Sequence, residues 1–161
     1  MLQCSTRLPA RLAAAALTTF ALFALPAAGA GAETPHPVKL SKHALSGPVF
    51  ESPEAVHDNE DGNDTVDVTS FTSGDKAFQT GVFQSGPTRE EVRGPGYPYT
   101  ELLVFLTGGA RFVSTDGNVL EAGPGDAVTL PKGWTGVFES KGYTKLYAVY
   151  DPDAPTHIGQ D

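Results

Sequence analysis

The chain has 161 residues, with 19 Asp and Glu against 11 Lys and Arg, a formal net charge of −8, and a single cysteine. That length suits one domain, and an acidic balance without any basic cluster excludes charge-driven capture of nucleic acid or of anionic lipid. One cysteine excludes an internal disulfide and a cysteine-rich zinc or iron–sulfur site, while 18 Gly and 13 Pro favour tight turns over long helices.

Residues 1–32 read as an export signal. Arg7 and Arg11 precede the apolar stretch Leu12 to Leu25, which ends in Pro26, Gly29 and Gly31 and the small-residue pattern Ala30-Gly31-Ala32. This is the order of charged, apolar and cleavage regions in a secretory signal. The alternative is an uncleaved anchor, because Leu12 to Ala32 is about long enough to cross a bilayer; against it, Pro and Gly crowd the end where an anchor needs apolar helix. Cleavage near Ala32 removes Arg7, Arg11 and Cys4 but no acid. The remainder is a thiol-free, more acidic chain, not held at a membrane, which suits a secreted or periplasmic setting.

Residues 33–65 then read as a polar leader with little regular structure, broken by Pro35, Pro37, Pro48 and Pro53. The acidic stretch Asp58 to Asp64 reads as a solvated loop. A calcium loop with Gly62 as its turn glycine would place His57 at the first ligand position and Val68 at the closing acid.

From Val66 onward short runs rich in Val, Phe, Tyr, Leu and Thr are each closed by a Gly, Pro, Asp or Asn turn, which predicts strands. Eight are expected: Val66–Phe71, Ala77–Phe83, Thr100–Leu106, Ala110–Ser114, Val119–Ala122, Ala127–Leu130, Gly136–Glu139 and Lys145–Tyr150. No long helical period interrupts them. Residues 66–151 therefore predict an all-β, antiparallel sandwich or barrel, and residues 152–161 a polar tail.

Two spaced motifs stand within these strands. Glu101 is followed after six residues by Gly108, and Gly125 after five by Pro131, with Gly133 two places beyond. This two-part pattern resembles the cupin superfamily. The stretch from Gly81 to Tyr150 is similar in particular to small single-domain cupins related to the cupin domain of (S)-ureidoglycine aminohydrolase. The resemblance is carried by Tyr99 to Gly108, by Gly123 to Gly136, and by Lys145-Leu146-Tyr147. It implies a jelly-roll β-barrel, a homodimer paired through edge strands, and a pocket that Glu101 faces. The residues fit that reading: Glu101 alternates with Leu103 and Phe105 on one strand face. If that face is the interior, the acid must pair, bind a cation or take up a proton; if it is the exterior, Glu101 is a solvated acid.

The same comparison marks a departure. Metal-binding cupins carry a His-x-His pair shortly before the first-motif glutamate, where this chain has Gly94, Pro95, Gly96 and Tyr97, and Gly136 replaces the second-motif histidine. The histidines present, His36, His43, His57 and His157, fall in the leader or the tail. One carboxylate does not make a tight transition-metal site, so neither a bound metal nor another cofactor is expected.

The expected pocket residues are Tyr97, Tyr99, Glu101, Trp134, Lys145 and Tyr147. Tyr99, Trp134 and Tyr147 join an apolar face to a hydrogen-bonding group, whereas Phe112 and Phe138 serve as lining or as core. Lys145 either pairs with Glu101 across the interior or lies at the surface. Two function classes follow: a module binding a small polar metabolite without a metal, or a metal-independent acid–base enzyme, of ureido-hydrolase or sugar-isomerase type, with Glu101 as the catalytic group. A filled, structural barrel is the third.

Overall fold

The computed structural model describes residues 35–60 and 62–154. The export signal read over residues 1–32, and the tail from residue 155 with His157, lie outside the described residues. Among the described residues, alternation of apolar and polar residues between turns yields ten antiparallel strands in two sheets, an all-β, cupin-like jelly roll. The strands are β1 (Val56–Glu60), β2 (Asn63–Thr72), β3 (Phe78–Ser85), β4 (Thr88–Val92), β5 (Thr100–Gly108), β6 (Ala110–Ser114), β7 (Val119–Ala122), β8 (Ala127–Leu130), β9 (Gly136–Ser140) and β10 (Tyr143–Tyr150). The larger sheet has the order β1-β2-β3-β10-β5-β8 and the smaller one β4-β9-β6-β7.

All eight expected strands are present, three of them with the bounds read from sequence. Two were not expected. β4, Thr-Arg-Glu-Glu-Val, has no apolar alternation because it is an edge strand of the smaller sheet, where charged side chains protect the open edge. Its Arg89 meets Glu139 of β9 across the ladder at 2.9 Å. β1 is the other, and it corrects the expectation of little regular structure over residues 33–65. The acidic stretch read as a solvated loop runs through a hairpin instead, with Asp58 opposite Thr65 and Asn59 opposite Asp64. Upstream, a single helical turn α1 (Lys42–Leu45) is capped by Ser41, whose Oγ accepts the Ala44 N–H at 3.0 Å. A 3-10 turn follows at Pro48–Glu51.

This N-terminal segment has a packing role. Leu40, Leu45, Val49 and Phe50 lie with Val68, Val82, Leu106 and Leu146 in one apolar cluster on the outer face of the larger sheet. The inner face carries a second cluster, in which Leu103 and Phe105 of β5 meet Phe112, Leu130, Phe138 and Tyr143 between the sheets. Its rings meet edge to face, Phe112 with Phe138 at 5.1 Å and Phe138 with Tyr143 at 5.6 Å. Phe112 and Phe138 are therefore core. Apolar packing fills one part of the space between the sheets, and the polar residues described next occupy the other.

Candidate functional site

Four strands of the larger sheet present the inward residues of the site. Strand alternation puts Glu101, Leu103 and Phe105 of β5 inward, all buried. On β10 the inward set includes Tyr143, Lys145 and Tyr147, on β3 Gln79, Gly81 and Phe83, and on β2 Asp67. Lys145 stands opposite Phe105 and Glu101 opposite Val149, so the two long side chains reach toward each other along the strands. They meet: Lys145 Nζ donates to Glu101 Oε1 at 2.6 Å, with the residues 8% and 2% exposed. The ammonium also sits over the rings of Phe83, Tyr143 and Tyr147, 5.2, 5.9 and 6.0 Å from their centroids.

The second carboxylate oxygen of Glu101 accepts the Tyr97 hydroxyl at 2.6 Å. Tyr97 comes from the loop before β5, and that loop is fixed by a close backbone approach. The Tyr97 N–H donates to the Trp134 carbonyl and the Gly133 N–H to the Tyr97 carbonyl, both at 2.8 Å. Gly96 makes this possible: with φ +85°, a Cβ there would stand 2.4 Å from the Gly133 carbonyl oxygen. The Tyr97 ring packs edge to face on Tyr99 at 4.9 Å. Burial, then the charge of Glu101, holds the Tyr97 phenol far above its ordinary range, so it stays a donor.

A second carboxylate lies across the cavity. Asp67 Oδ1 accepts the Tyr147 hydroxyl at 3.0 Å, and that hydroxyl also touches Thr69 Oγ1 at 3.2 Å. Gly81 leaves room for the Tyr147 ring, since a Cβ at that position would lie 2.4 Å from Oη. Burial raises the pKa of Asp67, only partly offset by the Tyr147 hydrogen bond and the Lys145 charge. An acid raised in the folded state keeps a proton that the unfolded chain has lost. Its contribution to stability is full below about pH 3.8 and falls as the pH rises through the folded-state value. Asp67→Asn is therefore expected to raise Tm at neutral pH by a few degrees, roughly the effect of a fraction of a kcal/mol, and to leave Tm unchanged at pH 3. Thermal melts across that range check it; a variant less stable at both ends would show that the ionised carboxylate stabilises the fold.

Together these groups line an open cavity of about 330 Å³, with Glu90 at its rim. Of the residues expected at a pocket, Tyr97, Tyr99, Glu101, Lys145 and Tyr147 are brought together here. Trp134 is not among the residues lining it: its Nε1 donates to Ser114 Oγ at 3.0 Å, its ring packs on Phe112, and it lines an adjoining void of about 40 Å³ that Tyr97, Tyr143 and Lys145 also line. Asp67, Phe83, Glu90 and Tyr143 line the cavity without having been expected there.

The donor set does not fit a transition metal. Both oxygens of Glu101 are engaged, one by an ammonium, and no imidazole lines the cavity. Among the described residues no group of three or more His, Cys, Asp and Glu is gathered for a metal ion, and His57 is exposed on β1.

Comparisons with known proteins agree with this architecture. Residues 72–147 match the model of the EutQ-like cupin domain. Among solved structures, a Pseudomonas syringae pv. tomato protein of unknown function from the DUF861 family superposes with a TM-score of 0.53 at 20% identity, over 59% of this chain and 43% of that one. This chain thus spans less than half the length of that relative. The Clostridium difficile EutQ protein gives a TM-score of 0.48 at 18% identity, over 58% of this chain and 67% of its own. A Cupin 2 conserved barrel domain protein from Salinispora arenicola gives 0.47 at 15%, over 78% and 97%. No curated protein matches in sequence. Residues 72–147, on strands that build two antiparallel sheets around an inward glutamate, are thus similar to the EutQ-like cupin domain, and the chain shares the cupin-like fold.

Proposed function

We propose that this cupin domain is a metal-independent module that binds a small polar molecule, acting after export in the periplasm or outside the cell. The observation that carries the reading is the cavity of about 330 Å³ with a buried, hydrogen-bonded Tyr97–Glu101–Lys145 cluster on its wall. A filled structural barrel has no use for two buried charges, which cost free energy to desolvate, whereas a binding site uses a few fixed polar groups among aromatic walls to orient its ligand. The volume lies at the small end of ligand pockets, which sets the size of the occupant. Export is supported by the charged, apolar and cleavage order of residues 1–32 and by the absence of cysteine beyond Cys4.

A thermal-shift screen of the protein against sugars, ureido acids, amino acids and amines tests this, reading the ligand-induced change in Tm separately for wild type and Glu101→Gln. A ligand that raises Tm by several degrees in the wild type and not in the variant is the expected result. No response to any of the panel would return the barrel to a structural role.

One observation favours a second reading. Two carboxylates in one cavity have unequal surroundings, Glu101 held by an ammonium and a phenol, and Asp67 raised by burial. Such pairs can divide acid and base roles, and the resemblance to ureidoglycine aminohydrolase would make a ureido compound the substrate. Turnover of a ligand found in the screen decides between binding and catalysis.

A further inference from the structure

Resting on the pocket reading above, we infer that the ligand of this cavity is a small organic cation, an amine or quaternary ammonium compound. The charges in the cavity set the sign. Glu101 and Lys145 pair at 2.6 Å, while Asp67 and Glu90 line the same space without a salt bridge of their own, Asp67 feeling the Lys145 charge only at longer range. An anion would have to pass these two carboxylates to reach an ammonium that already has its partner. A neighbouring cavity shares Phe83 and Glu90 with this one and adds Asp58, extending the acidic approach. The one guanidinium lining it, Arg89, is held by Glu139 at 2.9 Å.

The walls point the same way, and independently of the charge count. The cavity is lined by the rings of Phe83, Tyr97, Tyr99, Tyr143 and Tyr147, whose faces attract cations. Three of these rings already surround one ammonium, that of Lys145. Tyr97 and Tyr99, lining the same cavity as Asp67, offer the same chemistry to a cation from solution. Tyr147 engages Oδ1 of Asp67, which fixes the carboxylate toward the cavity.

Three probes of one shape and different charge test the inference by calorimetry: choline, its neutral isostere 3,3-dimethylbutan-1-ol, and the anion 3,3-dimethylbutanoate. Choline is expected to bind about tenfold or more tighter than the alcohol, with no binding of the acid. Asp67→Asn should cost choline about tenfold and leave the alcohol unaffected. Added salt should weaken choline alone. Equal or tighter binding of the alcohol or the acid overturns the inference and leaves the pocket reading standing, and so does choline binding indifferent to both Asp67→Asn and salt. Should none of the three bind, a Glu101-dependent sugar or ureido acid from the wider screen sinks the cation and keeps the pocket, a Glu101-dependent amine upholds both, and an empty wider screen sinks both.

Discussion

Glu101→Ala is expected to destabilise the protein by about 3–5 kcal/mol, far more than the loss of any other ion pair described here. Removing this carboxylate leaves the Lys145 ammonium, 8% exposed, among aromatic rings without its salt-bridge partner, with only the longer-range charge of Asp67 to offset it. It also leaves the Tyr97 hydroxyl without its acceptor. The surface pairs offer the contrast: Arg89–Glu139 and Lys132–Asp153 have side chains between 38% and 60% exposed, where an ion pair is worth at most about 1 kcal/mol. Charge, and not lost contact, is the cause proposed, which makes a double-mutant cycle decisive. Lys145→Met alone should also cost about 3 kcal/mol, because it leaves the carboxylate buried against one phenol. Glu101→Gln with Lys145→Met should recover a large part of either loss, since both charges leave together and Tyr97 keeps an acceptor. Urea melts with unchanged m-values supply the numbers. Additive single effects, or a cost below about 1 kcal/mol for Glu101→Ala, would mean that the pair is solvated and not enclosed.

How far this site could be read from sequence depended on which strand carried each residue. On β5 the alternation of Glu101 with Leu103 and Phe105 was legible, because the neighbouring motif glycines and the resemblance identified the inward face. Lys145 was not decidable: it stands opposite Phe105, four positions from the residue opposite Glu101, and only the reach of two long side chains joins them. Asp67 was missed for a stronger reason. In Val66-Asp67-Val68 a period of two reads as valines turned inward and the acid to solvent, and that inference holds only if one face of the sheet is covered. Here both faces are covered. Val68, 6% exposed, packs outward beneath the N-terminal segment, and Asp67 faces the cavity. Val82 beside Phe83 and Leu146 beside Lys145 repeat the pattern. Trp134 was expected at the pocket for its polar handle, but Ser114 takes that handle. β1 and β4 were hidden because edge strands are polar for reasons unrelated to a core.

The covering segment itself supplies the other large expected effect. Val49→Asp should cost about 3 kcal/mol or more, the lost burial of a valine plus the desolvation of a carboxylate with no partner. Val49 is 8% exposed and joins the cluster that includes Val82, which is 0% exposed. Val38→Asp, eleven residues earlier in the same Pro-interrupted stretch, is the matched control. Its side chain is 57% exposed, and a substitution there should stay within about 0.5 kcal/mol. Denaturant melts of the two variants separate a packed segment from a solvated linker: equal, small effects would show that residues 40–50 do not seal the sheet. Removing residues 36–55 altogether should go further and expose Val68, Val82 and Leu146 in one patch on the outer face, a surface prone to association. Sequence composition alone assigns this stretch to a leader, yet its few apolar residues, Leu40, Leu45, Val49 and Phe50, are the ones that seal the sheet carrying Asp67, Lys145 and Glu101. An export signal cleaved near Ala32 leaves that seal whole, whereas processing beyond Leu40 would open the sheet from behind.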